Sequence, residues 1–158
     1  MEQRPPSKKN RPEPSLRARA LRLLARREHS RLELQRKLAA YARDPGELED
    51  LIADLTRRGW LSDQRVVEQL IHAHRGKFGS RRIRQQLLDK GIDEEQVARA
   101  LPQLREGDIE AARTVWQRKF GKLPHGAAER AKQVRFMQGR GFALETVLRI
   151  IRGNGDDE

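Results

Sequence analysis

One apolar spacing constrains this chain more than any other feature. Residues at x, x+3, x+4 and x+7 are apolar in three places: Leu48/Leu51/Ile52/Leu55, Val97/Ala100/Leu101/Leu104 and Leu144/Val147/Leu148/Ile151. At 3.6 residues per turn these positions share one face, so each set predicts an amphipathic helix, and three equivalent sets predict a repeat. A second copy relation links Val67, Leu70, His74 and Phe78 to Ile109, Ala112, Trp116 and Phe120 at identical offsets, with Gly79 or Gly121 following. Between these first and third helices lies a shorter, Arg-rich second helix, expected near 31–39, 80–89 and 128–138. Strand-like alternation is absent. The expected fold is all-α: three tandem three-helix repeats at 15–61, 62–106 and 107–152, stacked into an elongated body suited to large partners.

Start and stop signals agree with this division. Ser30 with Glu33 and Asp93 with Gln96 have capping-box spacing, and Asp44-Pro45 with Glu47 adds proline at the first helical position. Lys90-Gly91-Ile92 and Arg140-Gly141-Phe142 place glycine where a left-handed residue closes a helix. Pro102 should kink or shorten the sixth helix by removing a donor. Residues 1–14 hold four prolines and several cations without apolar periodicity, the pattern of a disordered basic tail. Residues 153–158 turn from glycine to acid and are expected to fray.

Charge points to the partner. The chain carries 34 Lys plus Arg against 23 Asp plus Glu, a formal net charge of +11, which favours phosphate backbones or acidic protein surfaces. The charge is unevenly placed. The second helices are basic, at net +2 over 31–37, +3 over 81–90 and +3 over 129–140, whereas 47–58 and 93–106 are each net −2. Arg19, Arg22 and Arg26 recur at i, i+3 and i+7 as one stripe beside an apolar one. On the fifth helix Arg81, Arg82 and Gln85 project away from the Ile83/Leu87 pair, with Arg84 flanking it. These seven residues are the expected contact surface for nucleic acid or an acidic protein assembly.

Chemistry of other kinds finds little support. The absence of Cys excludes disulfides, thiolate metal sites and cysteine nucleophiles, and fits a reducing, cytoplasmic setting. No run approaches a membrane span and no apolar leader is present. Gly76-Lys77-Phe78-Gly79-Ser80 lacks the spacing of a phosphate loop and reads as a connector. His72 and His74 stand two apart on a helix and face different ways, while His29 and His125 lack partners at metal or catalytic spacing. Trp60, Trp116 and His74 are expected in the core. The chain is therefore read as a non-catalytic, cofactor-free monomer.

The ordered combination of Arg27-Glu28-His29-Ser30-Arg31-Leu32-Glu33-Leu34, Arg58-Gly59-Trp60-Leu61-Ser62-Asp63, Gly79-Ser80-Arg81-Arg82-Ile83-Arg84-Gln85-Gln86-Leu87 and Arg135-Phe136-Met137 resembles the RecX family over about residues 16–151. Three departures stand out. The first repeat has Ala40-Tyr41-Ala42-Arg43-Asp44-Pro45 in place of a Lys-Gly-apolar step, position 67 is Val where Phe is common, and the basic tail lies outside the shared pattern. The resemblance implies a curved rod of repeats seated in the groove of the RecA nucleoprotein filament on single-stranded DNA. It implies inhibition of strand exchange, ATP hydrolysis and coprotease activity, hence modulation of recombination, DNA repair and the SOS response. Whether single-stranded DNA is touched directly stays open. Two other readings remain at this point, a sequence-independent DNA- or RNA-binding helical protein and a solenoid adaptor for an acidic protein.

Overall fold

The computed structural model describes residues 12–153, and the tail expectations for 1–11 and 154–158 lie outside that range. Pro12 to Pro14 are non-helical, and Ser15 opens the first helix by accepting a hydrogen bond from the Ala18 amide. Among the described residues there are nine α-helices and no strands. The chain divides into two units, one ending at Ser62 and one beginning at Asp63.

The first unit holds α1 (Leu16–Arg26), α2 (Arg31–Leu38) and α3 (Pro45–Arg57). Its core gathers Leu16 and Ala20 from α1, Leu34 and Leu38 from α2, the complete Leu48/Leu51/Ile52/Leu55 face of α3, and Leu61. Ser30 and Glu33 form a full capping box, each side chain taking the other's backbone amide. The unusual junction after α2 is a single 3-10 turn, Ala39–Tyr41. It delivers the chain to Asp44, which caps the Glu47 amide at 2.9 Å, while the Glu47 carboxylate accepts from the Arg43 amide at 2.8 Å. These two carboxylates, together with proline at N1, start α3 without the glycine step.

The second unit holds α4 (Asp63–His74), α5 (Ser80–Asp89), α6 (Glu94–Glu106), α7 (Asp108–Lys119), α8 (Gly126–Gly139) and α9 (Leu144–Ile151). Two cores form. Val66, Val67, Leu70, Ile83, Leu87, Ile92, Val97 and Leu104 join α4, α5 and α6, and Ala111, Ala112, Val115, Met137, Phe142, Val147, Ile150 and Ile151 join α7, α8 and α9. Gly91 and Gly141 take φ of +81° and +94°, closing α5 and α8 as the glycine steps require.

The structure corrects several sequence expectations. Trp60 is 47% exposed rather than buried, because Gly59 turns the chain at φ +75° and sends Leu61 inward instead. Leu144 is 45% exposed at the start of α9, and Ile150 completes that face. Pro102 does not shorten α6, which runs on to Glu106. The carbonyl it leaves without a helical donor belongs to Ala98, an exposed residue that water can reach. Asp93 caps the Gln96 amide at 2.8 Å, but the Gln96 side chain donates to Gln64 on α4 rather than closing a box.

Candidate functional site

The seven expected contact residues fall on two units. On α1, Arg22 and Arg26 are exposed and form no ion pair with a described residue. Arg19 is half-buried, its guanidinium lying 3.8 Å from the centre of the Tyr41 ring. The neighbouring Arg17 belongs to the fold: it donates to Asp54 at 2.6 Å, and Arg57 and Arg58 reach the same carboxylate. That cluster, with the Arg17 hydrogen bond foremost, holds Asp54 at a pKa of about 2.

On α5, Arg81 and Arg84 stand one turn apart, exposed and without an ion pair to a described residue. Gln85 is exposed, with its amide donating to Asp89 at 2.9 Å. Arg82 is also exposed, but it is tied to the third repeat. It donates to the Gly139 carbonyl at 3.3 Å and lies 4.1 Å from the centre of the Phe78 ring. Of the quartet, Arg81 and Arg84 form the free cationic pair.

The start of α5 explains why Arg82 meets the third repeat. A helix N-terminus leaves its first amides without helical partners, and here the third repeat supplies them. Gly79 donates to the Arg140 carbonyl at 2.8 Å and Arg81 to the Gly141 carbonyl at 3.2 Å. The Ser80 amide donates to Asp108 at 3.0 Å and the Ser80 hydroxyl to the other oxygen of the same carboxylate. Backbone meets backbone so closely that a Cβ on Gly79 would collide with the Gly141 carbonyl and fall 2.7 Å from the Phe142 nitrogen. A Cβ on Gly141 would fall 2.6 Å from the Arg82 nitrogen.

Around this contact the structure assembles cations and rings that no local pattern announced. Arg140 lies 5.2 Å from the centre of Phe78 and 5.3 Å from that of Phe136, and Lys119 lies 5.1 Å from Phe136. Phe120 meets Phe136 edge to face at 5.4 Å, and His74 meets Phe78 likewise at 5.0 Å. Burial first, and then Lys77, Arg82 and Lys90, lower the His74 pKa below its ordinary value. Trp116 is half-buried against the third core, where its indole donates to the buried Gln133 at 2.9 Å.

His29, assigned no partner from sequence, is 1% exposed. Its Nδ1 lies 3.0 Å from the Arg27 carbonyl, which can only accept, so Nδ1 carries the hydrogen and Nε2 is left to accept from the Lys37 ammonium at 3.1 Å. Burial chiefly lowers its pKa. Among the described residues no three His, Asp or Glu side chains gather as a metal site requires, and no helix is long and apolar enough to cross a membrane.

Three-helix units in tandem, with Arg81 and Arg84 exposed on α5 and a ring-and-cation cluster between the last two, define a helical repeat protein. Comparison with known proteins makes the class specific. Models of the second and third three-helix domains of RecX match residues 62–101 and 106–151. The chain is 48% identical to the regulatory protein RecX of Leptothrix cholodnii, over 90% of this chain and 91% of that protein. It is 44% identical to its counterpart in Ralstonia nicotianae over 88% and 87%. The crystal structure of RecX from Lactobacillus salivarius superposes with a TM-score of 0.73 at 20% identity, covering 87% of this chain and 92% of that one. The chain belongs to the RecX family.

Proposed function

We propose that this protein binds the RecA filament on single-stranded DNA and acts mainly as an inhibitor of RecA, moderating recombination and the SOS response from the cytoplasm as a monomer without catalysis of its own. The observation that carries this reading is its kinship, across nearly the whole chain, with proteins named as RecX regulators. The free Arg81/Arg84 pair supports it physically, since exposed cations without intramolecular partners steer association with acidic protein and phosphate. Arg22 and Arg26 offer a second such pair on α1.

The test is steady-state ATP hydrolysis by the cognate RecA on single-stranded DNA. Inhibition by the wild-type protein should weaken as salt is added, because exposed charges are screened beyond about 8 Å at physiological ionic strength. Arg81→Glu/Arg84→Glu should lose inhibition while circular dichroism stays unchanged. Arg82 is left intact because it holds the third repeat. Unchanged RecA turnover at saturating wild-type protein would refute the reading. An inhibitory double variant would move the contact to another repeat.

A further inference from the structure

The third repeat carries a groove between α7 and α9 that its core leaves open. Arg113, Trp116 and Arg118 of α7, Leu123 of the following loop, Ile150 of α9 and Gly153 line a space of about 650 Å³. The apolar part of the lining is Trp116, which is half-buried, Ile150, which is buried, and Leu123, which is 49% exposed. Arg113 and Arg118 are exposed cations. Neither forms an ion pair with a described residue, and no carboxylate of the described residues lines the groove.

The chain itself leads an anion to this place. Gly153 ends α9 at φ +73° with its amide donating to the Ile150 carbonyl at 3.4 Å, a left-handed close that turns the chain back on its helix. A Cβ on Gly153 would sit 3.8 Å from Leu123 Cδ1, so the turn is made at the groove. The sequence then runs Asn154-Gly155-Asp156-Asp157-Glu158, three carboxylates in succession with no cation among them. Measured from Gly153, an extended chain brings Asp156 to about 10 Å and Glu158 to about 17 Å. Arg113 and Arg118 stand about 7.5 Å apart along the α7 axis, and three successive acids extend over about 7 Å. Spacing, sign and reach agree. We propose that Asp156, Asp157 and Glu158 occupy this groove in the same chain, their carboxylates on Arg113 and Arg118. A segment tethered this closely has a local concentration on the order of millimolar, so an acidic peptide from a partner or from a second copy must displace it first. The segment thereby withholds one cationic face of the third repeat from acidic proteins. The inference concerns the chain alone and stands whether or not RecA is its partner.

The test is a carbon-detected NMR titration of the Asp156, Asp157 and Glu158 carboxyls in the full chain. Arg113→Ala/Arg118→Ala should raise their pKa values by about one unit, the lower end of the effect of a nearby opposite charge. Arg99→Ala/Arg105→Ala removes the same charge from α6, where both residues are exposed, and should leave them at wild-type values. Arg149 and Arg152 of α9 and its end are present in every variant, so their influence cancels. Equal rises in the two variants would overturn the proposal in favour of net charge alone, and no rise in either would empty the groove of the segment. A rise that depends on protein concentration would seat the segment of a second copy there and overturn the intramolecular assignment. The second measurement is hexaglutamate binding followed by Trp116 emission in a Trp60→Phe background. Asp156→Asn/Asp157→Asn/Glu158→Gln should bind hexaglutamate more tightly than its parent, on the order of tenfold, because the tethered competitor is gone. Equal affinity would show that the segment shields nothing and would overturn the proposal.

Discussion

At the scale of single residues, the molecule depends on a few side chains whose chemistry allows one state only. A protonated His29 would bear hydrogen on both ring nitrogens and turn one of them on the Lys37 ammonium, so folding holds the imidazole neutral. Below pH 6.5 the unfolded chain therefore binds the proton more readily, and stability should fall as pH drops from about 7.5 to 5.5. His29→Leu should lower stability at the upper pH and flatten that decline, with the residual slope due to His74, as read by urea denaturation at each pH. Asp54 acts at the acid end. Its pKa is depressed from 3.8 to about 2, so its contribution is present above 3.8 and lost as pH falls through about 2. Asp54→Asn should remove that acid-side loss, by a modest amount since the partner arginines are exposed. Gly141→Ala faces two penalties, a left-handed φ and a collision with Arg82. It should destabilise the second unit by at least about 2 kcal/mol in the same assay.

At the scale of helices, the pairing of α5 with α7 rests on one carboxylate. Asp108 sits in the first turn of α7 and takes both the amide and the hydroxyl of Ser80, placing its charge where the N-termini of two helices favour it. Asp108→Ala should cost about 0.5–2 kcal/mol. A double-mutant cycle with Ser80→Ala should show clear non-additivity, since both changes break one interaction. Trp116→Phe keeps the ring but leaves the buried Gln133 oxygen without its donor, at a cost of about 1–3 kcal/mol. Much of this level was legible in the sequence. The helices, their starts at Ser30, Asp44 and Asp93 and their glycine stops follow from local periodicity and capping chemistry, which act within a few residues. What escaped acts at a distance or against apolarity. Trp60 was read as buried because it is apolar, whereas a turn at Gly59 decides which of Trp60 and Leu61 points inward. In the candidate site, helix charge pointed to Arg81, Arg82 and Gln85 with Arg84 flanking the Ile83/Leu87 pair, but not to the bond that ties Arg82 to the Gly139 carbonyl. Lys77, Arg118, Lys119 and Arg140 come from separate segments, and only the folded chain brings them to one cleft.

At the scale of the whole molecule, the division at Ser62/Asp63 separates a unit with one core from a unit with two. A fragment of residues 63–158 should fold alone and melt in one cooperative transition, with α4–α6 and α7–α9 losing ellipticity together because the start of α5 is completed by the α8–α9 turn. Two separate transitions would show that this junction does not couple the repeats. The same junction bears on how such an array can change over time. A helix whose opening amides are answered by another repeat's main chain has a built-in neighbour, one that requires bare glycine on both sides of the join. Copying or reordering the modules would break that join unless the newcomer carried its own matching glycine. The second and third repeats are alike in pattern yet no longer interchangeable, and their order is kept by main-chain hydrogen bonds that only glycine lets approach, with the Asp108 carboxylate beside them.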